Sequence, residues 1–307
     1  MVDQMRICNT LGKMDYYLSN HESICVGVSG GSDSNIIVHM IATHFREYLP
    51  KVHFVFSNTG IEYKATIRHL DWMENHYNIT IERIRPAKGD NLVSVVRREG
   101  VPILSKTFSH TVPQAQRGYE SAFRKINGEL MYNGKPSSFN FTKKQKELAE
   151  YLIEHEIKVS DKCCDLSKKK PFHKFVKEVK ADLIISGERK CEGGARATRH
   201  KNCFENQKDG IDKYMPLFFW DDDTKQWYKE HENITYSDCY EIWGMKRTGC
   251  VGCPFNSRVG EELKIIQKYE PNLYTLCMNV FGESYRLMDK FEVHRSKNKI
   301  LKEVSDE

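Results

Sequence analysis

At 307 residues, 39% hydrophobic and 29% charged, the chain is long enough to bury a sizeable core. No apolar run approaches the ~20 residues of a membrane span, and Met1–Lys13 lacks a secretion-signal pattern, so a soluble, cytoplasmic protein without membrane contact is expected. A net charge of +5 is compatible with nucleic acid without requiring it, and ten cysteines in a reducing compartment suggest metal or redox chemistry before disulfides.

Residues 1–23 read as a leading helix with Met5, Ile7, Leu11 and Tyr16 as anchors. The apolar run Ile24–Val28 then predicts a strand, and Asn35–Ile41 a buried helix. Between them lies Ser29-Gly30-Gly31-Ser32-Asp33-Ser34. A strand, a glycine-serine turn and a helix form an anion-binding device, because glycine lets successive N–H groups face one ligand and the helix adds its positive end. The serines supply hydroxyls, and Asp33 can cap the helix or help hold a metal ion. An ordinary capped turn is the plainer reading, and the lysine of a Walker-type loop is missing.

Val52–Phe56 predicts a second strand, Ile67, Leu70 and Met73 a helical stripe, and Ile79–Ile84 a third strand. Strands alternating with helices imply right-handed crossovers and a twisted parallel α/β sheet flanked by helices, with ligands at the strands' carboxyl ends. Asn58, Thr59 and Gly60, after the second strand, become candidate nucleotide contacts, with a polar turn as the alternative. Residues 105–160 read as an insertion. Within it, 105–140 is taken as a lid or a solvent-exposed loop, Asn133-Gly134 as a tight turn, and Leu148, Tyr151 and Leu152 as a helix.

Pro171 suits a helix's first turn, and the lysines at 168, 169, 170, 174, 177 and 180 form a solvated face or a phosphate track. Ala181–Ser186 predicts a fourth strand, running into Gly187-Glu188-Arg189-Lys190-Cys191-Glu192-Gly193-Gly194-Ala195-Arg196. Arginines at such a turn can grip phosphate oxygens in two-point geometry. Cys25 and Cys277 lie in apolar runs and read as core. Cys163-Cys164 and Cys250-Val251-Gly252-Cys253 offer four soft donors, for iron–sulfur or for zinc. Cys191 is a possible sulfur-handling thiol. Residues near 260–290 read as helical and 291–307 as a charged tail.

Five segments resemble one family. The loop Ser29–Ser34 resembles the SGGxDS loop of the N-type ATP pyrophosphatases, a group that includes the phosphoadenosine phosphosulfate (PAPS) reductases. Phe56–Glu62 is similar to that group's D-T-G segment, with Asn58 replacing the acid, and Gly187–Arg196 to its G-x-R-x-x-E-G-x-x-R element. The Cys-Cys pair, about 85 residues and then C-x-x-C match the [4Fe-4S] ligand spacing of assimilatory adenylyl-sulfate reductases, and Tyr214–Trp220 resembles the preceding P-L-x-x-W.

The resemblance implies an adenine nucleotide alpha hydrolase-like fold, a nucleotide-binding domain over 1–200 and a helical cluster-binding region over 201–307. It implies ATP and Mg²⁺ held by Ser29, Gly30, Gly31, Ser32, Asp33, Ser34, Asn58, Thr59, Gly60, Gly187, Arg189, Gly193, Gly194 and Arg196. It further implies that Asp33, Arg189 and Arg196 carry the chemistry and that Cys163, Cys164, Cys250 and Cys253 ligate a [4Fe-4S] cluster. No cysteine follows Cys277, where the reductases carry a nucleophile in E-C-G-x-H. The features are therefore closest to the ATP pyrophosphatases of DNA phosphorothioation. The expected partners are nucleic acid, DNA before tRNA, and a sulfur donor such as a cysteine desulfurase. Sulfonucleotide reduction and a non-catalytic redox-sensing subunit remain as alternatives.

Overall fold

The computed structural model describes residues 4–192, 200–206, 210–294 and 300–301. In chain order its principal elements are α1 (Gln4–Ser19), β1 (Ile24–Gly27), α2 (Ser32–His44), β2 (Val52–Ser57), α3 (Lys64–Tyr77), β3 (Ile81–Ile84), α4 (Leu92–Glu99), α5 (Lys106–Gln116), α6 (Glu120–Ile126), β4 (Met131–Tyr132), β5 (Lys135–Pro136) and α7 (Lys143–Glu154). These are followed by α8 (Lys170–Glu178), β6 (Leu183–Ile185), β7 (Phe204–Glu205), β8 (Asp212–Tyr214), α9 (Asp222–His231), α10 (Asp238–Glu241), α11 (Val259–Tyr269) and α12 (Pro271–Lys290). Two compact units result. The first comprises Met1–Asn58, Glu62–Arg85 and Lys170–Gly249; the second comprises Thr59–Ile61, Pro86–Lys169 and Cys250–Glu307. Each unit draws on chain from both sides of residue 200. Among the described residues no helix is long and apolar enough to cross a membrane.

The first unit is built on a sheet of order β3-β2-β1-β6-β8-β7, parallel except for β7 against β8. Its central strands β1, β2 and β6 are largely apolar on both faces, as the doubly covered middle of a parallel sheet requires. Ile24 and Val26 of β1, Phe54 and Phe56 of β2, and Leu183 and Ile185 of β6 enter one core with Met14 and Leu18 of α1, Leu70 and Met73 of α3 and the apolar residues of α2. The intervening Cys25, Val55 and Ile184 pack on the opposite face with Phe172, Phe175 and Val176 of α8. Each fully buried aliphatic side chain stabilises by about 1.5–3 kcal/mol. The strand order reverses between β1 and β6, so the loops after these two strands leave the sheet at a topological switch point.

The mostly parallel, helix-flanked sheet matches the expected class. Two local expectations are corrected. In α1 the buried stripe is Ile7, Thr10, Met14 and Leu18 at three-to-four spacing, while Met5 and Tyr16 are exposed because they fall on the opposite face. Residues 105–140 are no irregular loop: in the second unit they form α5, α6 and the β4–β5 hairpin, with Phe108, Val112 and Ala115 buried and the Ser105 hydroxyl capping α5 at Phe108 N–H. The helical stretch expected near 260–290 is present, as two helices parted at Glu270 with Pro271 opening α12. The turn at Asn133-Gly134 is present, both residues having positive φ, as a two-residue hairpin requires.

Candidate functional site

In the first unit, β1 hands the chain to Ser29–Gly31 and then to α2. Val28 N–H still bonds to Val55 of β2 at 2.8 Å, and Gly30 then turns with φ of 69°. Three serine contacts set the loop. Ser34 Oγ donates to Gly31 O at 2.9 Å and accepts from Ser29 N–H at 3.2 Å, while Ser29 Oγ accepts from Gly31 N–H at 3.2 Å. Gly31 caps α2 without any side-chain bond, so the helix presents its positive end at the loop.

The turn after β6 rests on this loop. A Cβ on Gly187 would stand 3.1 Å from Asp33 Cβ and 3.2 Å from Ser34 N, so glycine permits the approach. Two residues on, Arg189 is 5% exposed. Its Nε stands 2.8 Å from Asp33 Oδ1, an ion pair angled off the hydrogen-bond axis, and its Nη1 lies 2.9 Å from Asp222 Oδ1. Burial opposes the guanidinium charge, but Asp33, Asp222 and Cys191 together hold its pKa above the ordinary value. Lys225 of α9 reaches the same Asp33 Oδ1 at 2.9 Å and donates to Ser32 Oγ at 2.7 Å. One loop carboxylate thus gathers two cations beside a helix N-terminus, an arrangement suited to an anionic, metal-chelating ligand.

Two further residues close the loop. Tyr240 Oη accepts from Thr248 N–H at 3.1 Å and lies 3.4 Å from the position a Cβ on Gly31 would take. Burial raises its phenol pKa, with hydrogen bonds from Thr248 and Ser32 opposing. Lys225, Tyr240 and Thr248 were not legible as site residues, because tertiary packing brings them in from separate segments. Cys191 accepts from Arg189 Nη1 at 3.1 Å and donates to Trp220 O at 3.3 Å, placing a thiol beside the loop arginine.

The remaining expected contacts distribute differently. Asn58 belongs to the first unit, its N–H donating to Ile84 O at 2.9 Å. Thr59 and Gly60 belong to the second, where the buried Thr59 accepts from Leu92 N–H at 3.3 Å and Gly60 turns with φ of 90°. Gly193, Gly194 and Arg196 lie outside the described residues.

The second unit gathers the four cysteines. Cys163 and Cys164 precede a wide helical turn at Asp165–Lys169, and Cys250–Cys253 forms a turn closed by Cys253 N–H to Cys250 O at 3.2 Å. This turn is pinned from beneath. Glu262 of α11 accepts from Gly252 N–H at 3.0 Å and from Asn256 Nδ2 at 2.6 Å, and the Tyr285 hydroxyl donates to Gly252 O. Gly252 has φ of 62°, and a Cβ there would fall 2.8 Å from Cys277 Sγ.

The thiols act on one another. The hydrogen bond between Cys163 and Cys164 raises the first and lowers the second to about 6, with Lys106 and Lys168 also favouring the Cys164 thiolate. Cys250 and Cys253 push Cys163 further up; burial, then Cys250 and Cys164, raise Cys253. Four soft donors acting on one another in one neighbourhood are compatible with an iron–sulfur cluster, and the same donor set suits zinc.

A Rossmann-like sheet that presents a serine-glycine loop and a glycine-arginine turn at its switch point defines a nucleotide-binding α/β fold. The family model for the phosphoadenosine phosphosulfate reductase domain matches residues 23–103 and 91–256, and the chain belongs to that family. It is 26% identical over 265 residues to an uncharacterised protein of Methanocaldococcus jannaschii, covering 85% of this chain and 42% of that protein. It is 29% identical over 102 residues to an adenosine 5'-phosphosulfate reductase of Neisseria meningitidis, covering 33% and 40%. The chain thus spans about two-fifths of the length of the curated relatives it matches. Among solved structures, the PAPS reductase of Candida auris in a phosphate complex aligns with a TM-score of 0.47 at 16% identity, over 78% of this chain and 87% of that one.

Proposed function

We propose that the protein is an ATP pyrophosphatase that activates an acceptor oxygen, on a nucleic-acid backbone and on DNA before tRNA, for sulfur insertion of the phosphorothioation type. The observation that carries this reading is the sharing of Asp33 by Arg189 and Lys225 at the serine-glycine loop. Serine hydroxyls, loop amides and the α2 N-terminus are a fitting cradle for pyrophosphate. Asp33 would hold Mg²⁺, freeing Arg189 and Lys225 to face phosphate oxygens. The acceptor oxygen attacks the α-phosphorus, the bond to the bridging oxygen breaks, and pyrophosphate leaves with the electron pair. Cys163, Cys164, Cys250 and Cys253 would hold a [4Fe-4S] cluster, which supplies electron-transfer or sulfur-handling chemistry when bound. The terminal persulfide sulfur of a donor such as a cysteine desulfurase would then attack the acceptor phosphorus, AMP would leave with the activated oxygen and its electron pair, and a second thiol would cleave the remaining S–S bond as reductant.

The test is anaerobic incubation of the purified protein with α-labelled ATP, with and without DNA or tRNA. Pyrophosphate with AMP or a labelled nucleic acid is expected; unconverted ATP under every condition overturns the reading. The similarity to the Neisseria adenosine 5'-phosphosulfate reductase favours one second reading, sulfonucleotide reduction. It predicts sulfite from adenylyl-sulfate or PAPS. Absence of both products would leave a redox-sensing nucleotide-binding subunit.

A further inference from the structure

Outside the loop, one cluster in the first unit has the makings of a metal centre. His39 and His44 lie on α2, and Glu232 is the residue on which α9 ends. One ligand atom from each lies within 4.8 Å of the others. His39 is 6% exposed, and its Nε2, 3.5 Å from Glu232 Oε2, is a buried nitrogen with no hydrogen-bond partner. Such orphaned polar atoms are uncommon in folded proteins and ask for a cause. The opposite nitrogen, Nδ1, faces the Tyr77 hydroxyl at 3.2 Å, which fixes the ring. Metal-binding histidines are usually held in this way, by a hydrogen bond to the nitrogen that does not ligate.

The electrostatics agree. α2 ends at His44 and α9 at His231, so two helices point their negative ends at this place. His44 is exposed, which leaves a path to solvent, and its Nε2 stands 3.2 Å from the Tyr228 hydroxyl.

We infer that His39, His44 and Glu232 form a site for a divalent late transition metal, zinc in the first instance, that ties the end of α2 to the end of α9. Two imidazoles and a carboxylate are borderline donors, suited to zinc and its neighbours rather than to magnesium or calcium. The site is separate from the four cysteines, which belong to the second unit. Because α2 opens at the phosphate loop and α9 carries Lys225, the metal would tether two elements of the nucleotide site at their far ends.

The test is titration of the metal-stripped full chain with Zn²⁺ and Co²⁺, alongside Glu232→Gln, His44→Gln and a Cys250→Ser/Cys253→Ser double variant. In the cysteine variant one zinc equivalent should remain, and it should weaken at least tenfold on adding Glu232→Gln or His44→Gln. Co²⁺ in the cysteine variant should give weak visible d–d bands without intense sulfur-to-metal charge transfer. This spectrum decides the matter even if a histidine or glutamate variant fails to fold. Cobalt bands solely of thiolate type, or zinc stoichiometry and affinity unmoved by both substitutions, would overturn the site and leave His39 a core histidine.

Discussion

Gly30 and Thr66 occupy space that admits only one side chain: a Cβ on Gly30 would overlap the Thr66 methyl group. The φ of 69° adds a left-handed penalty of about 1–2 kcal/mol for any L side chain. Gly30→Ala should therefore distort the loop and abolish measurable ATP binding by calorimetry. Adding Thr66→Ser, which removes the methyl, should restore part of the binding, because only the backbone strain remains. Full binding by Gly30→Ala alone would contradict the packing.

Lys225 and Arg189 converge on Asp33, so their removal should affect turnover more than folding. Lys225→Met should slow pyrophosphate release by about 10²–10³-fold, the usual loss for a preorganised charge at a reacting phosphate. Arg189→Lys should be nearly as severe, because a single ammonium cannot reach both Asp33 and Asp222. Thermal melting should stay close to wild type for Lys225→Met.

His69 gives the first unit an acid weakness. Its Nε2 lies 2.7 Å from Asn35 Nδ2 and accepts that hydrogen bond only when neutral. Burial lowers its pKa from 6.5 to about 4. The contribution is therefore fully present above pH 6.5 and is lost as pH falls towards 4, by up to about 3 kcal/mol at ~1.4 kcal/mol per unit. His39, lowered by the same cause, acts in the same direction. Chemical denaturation at stepped pH should show this loss, and His69→Gln should flatten the slope between pH 4 and 6.5.

Glu262 and Gly252 hold the C-x-x-C turn, and each offers a test of it. Glu262→Ala leaves the Gly252 N–H and the Asn256 amide without their acceptor, at a cost of about 1–3 kcal/mol. Gly252→Ala drives a methyl into Cys277 Sγ and Tyr285 Oη. Both variants should lose the brown colour and the absorbance near ~400 nm expected of a thiolate-bound iron–sulfur cluster. Cys277→Ser, which keeps the space, should retain them.

What the sequence made legible was local. Ser29–Ser34 and Gly187-Glu188-Arg189 are contiguous runs whose glycines have a backbone reason, so both could be placed at strand ends before any tertiary structure was known. Lys225 could not: it sits in Asp222–His231, a polar helix with nothing to mark one lysine from another until the helix packs over Asp33. β8 escaped notice because Asp212-Lys213-Tyr214 is short and mostly polar, taking its place by pairing with β6. α5 was hidden by Ser, Thr and His diluting its apolar stripe and by Pro113 within it, although the Ser105 cap was a usable signal. His39 and His44 read as an ordinary buried helix, since Glu232 meets them only in the fold.

The pairing of Ile24 with Leu183 has a consequence for biogenesis. As the polypeptide leaves the ribosome, β1, β2 and β3 can associate early, yet one margin of β1 stays bare until Leu183–Ile185 has been translated. Bare margins of this kind recruit strands from other molecules, and long-range parallel pairing is slow. Nascent fragments ending before β6 should therefore be aggregation-prone and dependent on chaperones, and phosphate affinity should emerge only after the sixth strand has docked.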